Sequence, residues 1–147
     1  MTSMTVVGSR KHSALEKDAV EETLRLATKF ARYIKDLVNE KEEAPLLDLL
    51  SELYSVDRIL VHLKDAIQSE ALVDQGATTL TILCGPSGSL QQFLSILRML
   101  ISTFSPGRAR QEWELRQAAN VFNVLSIKRR CEKQKIDLLS ALPNDHQ

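Results

Sequence analysis

The stretch with the strongest look of chemistry is Leu83-Cys84-Gly85-Pro86-Ser87-Gly88-Ser89, which begins like a phosphate-binding loop. Such a loop needs a further glycine, then a lysine for the β- and γ-phosphates and a Ser or Thr for the metal. Here Ser89 is followed by Leu90 and Gln91, and Gly85 and Gly88 are wrongly spaced. The residues therefore predict a tight turn that ends in a serine helix cap, with Ser87 or Ser89 as the capping residue. His12, His62 and His146 are scattered, and neither they nor Cys84 and Cys131 show the close spacing of a zinc site. His62 lies one residue from an apolar stripe and is expected half-buried at its rim. Serines fall at caps and helix surfaces, and no nucleophile–base pairing is legible. The expectation is a chain with no enzymatic activity, no cofactor and no metal.

The remaining polar signal is charge. Nineteen Lys and Arg balance nineteen Asp and Glu over 147 residues. The balance hides a separation. Residues 13–76 carry eight basic and fourteen acidic side chains, a net of −6, and residues 106–135 carry eight and three, a net of +5. The densest basic run holds Lys128, Arg129, Arg130, Lys133 and Lys135. The simplest expectation lays the last helix against the first two, with opposite charges facing at the rim and selecting register. Two further partners suit the run: the acidic side of a second copy, giving a homo-oligomer, and an anionic membrane surface. Nucleic acid is not expected, because no aromatic residues interleave the basic run. Trp113, the only tryptophan, is read as a plug at the bundle end or as a partner-binding anchor.

The elements that position these residues follow from periodicity. Hydrophobic residues make up 44% and aromatics 5%, with five Gly and four Pro, a composition that favours helices over sheets. Residues 1–12 carry little apolar pattern and are expected to form a flexible tail. Ser13 and Glu16 have capping-box spacing and open the first helix. Val20, Leu24, Ala27, Ala31, Ile34 and Val38 form one stripe along it, and Leu26, Phe30, Tyr33 and Leu37 a second. A second helix runs from Pro45 to Gln68 on Leu46, Leu49, Leu50, Leu53, Val56, Leu60, Leu63 and Ile67, antiparallel to the first. Residues 69–88 are the least regular, and the β-branched run within them is read as a short helix or turn, with a strand as the alternative. A third main helix reaches Phe104, with Leu90, Phe93, Leu94, Leu97, Leu100, Ile101 and Phe104 inward. A long last helix runs from Arg108 to Leu142, about 50 Å at 1.5 Å per residue. Trp113, Ala118, Val121, Phe122, Leu125, Cys131, Leu138, Leu139 and Leu142 mark its apolar side, thinly between Ile127 and Gln134. The fold class is all-α, a four-to-five-helix bundle with a long C-terminal helix: one domain over residues 13–143, followed by a short tail.

No run of roughly 18 apolar residues is present, and two distant cysteines without a secretory h-region point to reduced thiols and a cytoplasmic protein. Several stretches together carry a family likeness: ARYIKDLV at 31–38, APLLDLLSELYSVDRILVHL at 44–63, GPSGSL at 85–90, Trp113, and EKQKIDLLSAL at 132–142. This pattern resembles the helical N-terminal domains of fungal NOD-like (STAND, NACHT and ankyrin-repeat) receptors, the HeLo-like and SesA-like group. The resemblance implies a helical signal transmitter or cell-death effector of the heterokaryon-incompatibility type, acting by self-association or by docking a partner helix. Its alternative is a membrane-active effector that binds anionic lipid through the basic C-terminal helix. Membrane-acting relatives carry an apolar first helix; here only Thr5-Val6-Val7-Gly8 approaches one, and Arg10, Lys11 and His12 follow. The nucleotide switch and repeat sensor fall outside these 147 residues, so the resemblance implies a domain of a longer receptor or a stand-alone relative.

Overall fold

The structure is a computed structural model that describes the backbone of residues 2–41, 44–72, 74–103 and 121–142, and side chains within 14–39, 44–72, 74–102 and 124–142. Among the described residues there are five helices and no strand: α1 (Thr2–Lys41), α2 (Ala44–Gln68), α3 (Asp74–Cys84), α4 (Ser89–Thr103) and α5 (Val121–Leu139). The protein is an all-α helical bundle.

The four long helices form a ring. Both α1 and α5 lie beside α2 and α4, which places α1 and α5 at opposite corners, and α3 closes one end against α1, α4 and α5. Lys64 approaches Glu21, and the Thr28 hydroxyl donates to Asp57, so rising numbers on α1 meet falling numbers on α2, the mark of an antiparallel pair. The last helix therefore packs on α2 but not on both of the first two helices. The other neighbour of α1 is α4 instead, which leaves α5 the corner between α2 and α4.

Periodicity accounts for most of the core. Seven of the eight residues expected on α2 are buried, from Leu46 to Leu63; Ile67 is half-buried and Ala66 closes its seat. On α1, Val20, Leu26, Ala27, Phe30, Ala31, Ile34, Leu37 and Val38 are buried, while Leu24 and Tyr33 stay partly exposed. Trp113, Ala118 and Phe104 lie outside the described residues, as does the expected start of the last helix at Arg108.

Several expectations change. The tail expected over residues 1–12 is helical from Thr2 onward. Extending an existing helix adds one hydrogen bond per residue fixed, and no proline interrupts the chain before Pro45. Ser13 is thus inside a helix rather than at its start. Its expected partner Glu16 is buried and accepts a 2.6 Å hydrogen bond from the Thr81 hydroxyl of α3. The irregular stretch is the short helix expected there, α3, in which Thr78 and Thr79 each donate their hydroxyl to the carbonyl four residues back, at 2.9 Å, while the Thr81 oxygen, equally near the Ala77 carbonyl, commits its one proton to Glu16. Such bonds to the preceding turn satisfy the threonine hydroxyls within helical geometry.

The turn from α3 to α4 is tight, with the Gly88 amide donating to the Gly85 carbonyl at 2.9 Å. The cap of α4 is Gly88, whose carbonyl accepts from the Gln92 amide at 3.2 Å, and not either serine. Gly76 faces the carbonyl of Ala141 so closely that a Cβ has no room, which lets α3 lie directly on the chain end after α5.

At the end of α2, Ala71 donates to Ala66 at 2.9 Å and Glu70 to Ile67 at 3.2 Å, the double closure of a Schellman motif. Glu70 holds the left-handed position with φ 55°. A side chain is strained there and glycine is not. Glu70→Gly is expected to raise stability by about 0.5–1 kcal/mol, the relieved strain exceeding the added freedom of the unfolded chain. Urea denaturation checks this, as an upward shift in midpoint at constant slope.

Candidate functional site

The basic run of α5 does not form one patch. Lys135 reaches Glu52 on α2, its ammonium 2.5 Å from Oε2, with both side chains largely buried. This is an ion pair rather than a directed hydrogen bond, and it realises the expected facing of charges at one point. Lys128 lies 3.8 Å from Glu132 one turn on. Arg129 is exposed. Arg130 and Lys133 border a cleft of about 50 Å³ between α4 and α5.

Two uncharged polar side chains matter in that cleft: Gln134, not expected inside the bundle, and Ser89, expected as a helix cap. Gln134 is 3% exposed and its Nε2 has no hydrogen-bond partner; the buried Oγ of Ser89 has none either. Gln134 sits in the core because α5 follows a seven-residue repeat: Val124, Cys131 and Leu138 fill one line, and Ile127, Gln134 and Ala141 the other. Leu125, expected inward, is 39% exposed because Val124 takes its seat. The heptad was the available signal, and it was masked by a polar residue at one of its inner positions.

The surface of α2 holds a second pattern. Leu47, Tyr54 and Val61, seven residues apart, are 47%, 45% and 43% exposed, forming an apolar line on the side away from the core. His62, expected at a half-buried rim, is exposed next to this line.

Asp57, also on α2, has an unusual environment. Thr28 donates to Oδ2 at 3.1 Å, while the buried Oδ1 has no partner. Burial pushes this carboxyl from 3.8 up to about 6, against the opposing pull of the Thr28 hydrogen bond. The folded protein therefore holds the proton more tightly than the unfolded chain does. The resulting stability is complete below about pH 4 and is lost as the pH rises through about 6. Asp57→Asn keeps a partner for Thr28 and removes the charge. The variant should gain about 1 kcal/mol above pH 7, a figure reduced for the partial exposure of the carboxylate, and little at pH 4. Denaturation midpoints at the two pH values measure it.

Burial also pushes both thiols to about 12, with Glu16 adding to the effect at Cys84 and Glu52 at Cys131. Neutral thiols, whether buried as at Cys131 or half-buried as at Cys84, are poor nucleophiles and poor ligands. Among the described residues no three His, Cys, Asp or Glu side chains lie together as a metal set. No helix among them is long and apolar enough to cross a membrane. The outer face of α1 borders an open depression of about 560 Å³ beside Arg25, Lys29, Arg32 and Asp36. Arg25 there is engaged by Glu22 at 2.6 Å, a bond that lowers the Glu22 pKa.

Fold and surface together define a helical bundle with an apolar line on one helix and a small polar cleft between two others. Comparison with protein families, with curated proteins and with solved structures gives no match.

Proposed function

We propose that this chain is a non-enzymatic interaction and signalling domain that acts by self-association, with a second copy as the partner of α2. The observation that carries the reading is the exposed line of Leu47, Tyr54 and Val61. The line is self-complementary. About a two-fold axis through Tyr54, an antiparallel copy sets Leu47 against Val61 and Tyr54 against itself, as a closed homodimer contact requires. The strongest buried polar groups support a scaffold role, since Glu16 is held by Thr81 and the Thr23 hydroxyl by the Ala19 carbonyl at 2.7 Å. The sequence likeness to fungal NOD-like receptor domains supplies the setting, signal transmission by assembly of such bundles.

Light scattering on sized fractions at low and high salt tests the proposal. A dimer that persists at high salt and becomes monomeric with Tyr54→Glu supports an apolar α2 contact. A strict monomer at high protein concentration in both salts overturns it. Association abolished by salt but untouched by Tyr54→Glu also overturns it, and places the contact in the opposed charges of residues 13–76 and 106–135.

A further inference from the structure

We propose that the cleft between the start of α4 and the middle of α5 binds a phosphate-type oxyanion, the phosphomonoester of a soluble ligand or of a lipid headgroup. The site stands apart from the α2 line and goes beyond the self-association reading.

Four observations converge. The first is the unpartnered donor of Gln134. Its Nε2 is buried with no acceptor, although the residue is 3% exposed and occupies a core position of α5. An unmet buried donor carries a desolvation penalty, so an amide retained at such a position points to an acceptor that completes it. The second is Ser89, whose buried hydroxyl also lacks a partner and lines the same cleft. A hydroxyl and an amide N–H, both free to donate, suit an acceptor-only group.

The third is the backbone. Ser89 is the first residue of α4, a helix of fifteen residues. The first amides of a helix have no intrahelical acceptor and carry the positive end of the dipole. The fourth is charge. Arg130 and Lys133 flank the cleft from α5, one turn apart, and no carboxylate lines it among the described residues. A guanidinium offers paired donors to phosphate oxygens, and the lysine adds a point charge. Phe93 and Ile96 wall the apolar side. The volume of about 50 Å³, on a scale where one water takes about 10–15 Å³, accommodates about four oxygen-sized atoms, the number in a phosphate.

Gln92, the remaining polar residue there, already donates to the Ser87 carbonyl at 3.3 Å and so braces the turn rather than the ligand. This division assigns Gln134 and Ser89 to the anion's buried oxygens, and Arg130 and Lys133 to its outer ones.

The test is NMR titration of the full chain with inorganic phosphate, with sodium chloride holding the ionic strength constant. Saturable shifts of the Gln134 side-chain amide and of the Ser89 and Leu90 backbone amides are expected. Arg130→Gln, an exposed change, should weaken binding about tenfold. Gln134→Leu should abolish the saturable phase, and its thermal melt confirms that it is folded. Lys29→Gln, on the outer face of α1, should leave binding unchanged. Shifts that spread over the exposed lysines and arginines without saturating overturn the proposal, as does a phosphate affinity that Arg130→Gln and Gln134→Leu leave intact. Retention of a single bridging water at Ser89 and Gln134 whatever the phosphate concentration does the same.

Two further arms separate the sources. Glycerol 3-phosphate shifting the same amides, without co-sedimentation of the protein on phosphatidylcholine vesicles containing phosphatidic acid, identifies a soluble phosphomonoester. Co-sedimentation that requires phosphatidic acid and falls with Arg130→Gln identifies a headgroup. Co-sedimentation that neither variant changes counts against the cleft.

Discussion

Gly88→Ala is expected to destabilise the bundle by about 3 kcal/mol and to lower its thermal midpoint by roughly 10 °C. The added methyl would meet the carbonyl oxygens of Leu83 and Ile82 at under 3.0 Å. Both obstacles are backbone, so a rotamer change cannot relieve the clash. Relief requires the end of α3 to move away from the start of α4, and that displaces Leu83 and Leu90, both buried. The same change replaces a glycine at a helix N-cap by alanine, a poor residue there. Gly85→Ala, in the same turn, provides the comparison. Its Cβ would lie 3.3 Å from the Ile82 oxygen and 3.5 Å from that of Thr81. A shift of a few tenths of an ångström absorbs that contact, so the expected loss is below about 1 kcal/mol. Thermal melts followed by far-ultraviolet circular dichroism measure both. Equal midpoints for the two variants would show that the turn relaxes freely.

Phe30→Ala is expected to remove about 4 kcal/mol, a large part of the 5–15 kcal/mol typical of one domain. Phe30 is fully buried on α1, the helix that packs against α2, α3 and α4. Truncation leaves a void among side chains anchored on separate helices, and a site framed that way collapses poorly. Urea denaturation should show a lower midpoint with an unchanged slope. A change in slope would instead indicate that the native or denatured state had altered its compactness.

The parts of this fold that sequence made legible are those where apolar residues recur without interruption. The eight-residue apolar stripe of α2, the paired stripes of α1 and the inner face of α4 announce helix, face and neighbour at once. The cap of α4 was not legible, because a serine satisfies the same local rule as Gly88 and only the approach of Leu83 and Ile82 excludes a side chain. The start of α1 was obscured in a similar way. Ser13 and Glu16 fit a capping box, but the carboxylate is taken by Thr81, a residue 65 positions away. For the candidate surfaces the difficulty was one of emphasis. The basic run of α5 attracts attention by charge density, yet Lys128 and Lys135 are engaged by Glu132 and Glu52. The informative residue beside them is neutral Gln134. Its significance depends on the heptad that carries it inward and on Ser89 arriving opposite from α4. The line of Leu47, Tyr54 and Val61 was present in the spacing all along, hidden by the denser inner stripe of the same helix.

The ring order has a kinetic corollary. Among the described helices, only α1 and α2 are joined by a short connection and also share an extensive face, so this hairpin is the large unit among them that local contacts can assemble. Closure of the remaining sides pairs α1 with α4 and α2 with α5 across long stretches of chain. Such distant pairings slow folding relative to an up-and-down bundle of the same length. A chain with the hairpin formed but α4 and α5 undocked would display the faces of α1 and α2 that those two helices cover in the native bundle.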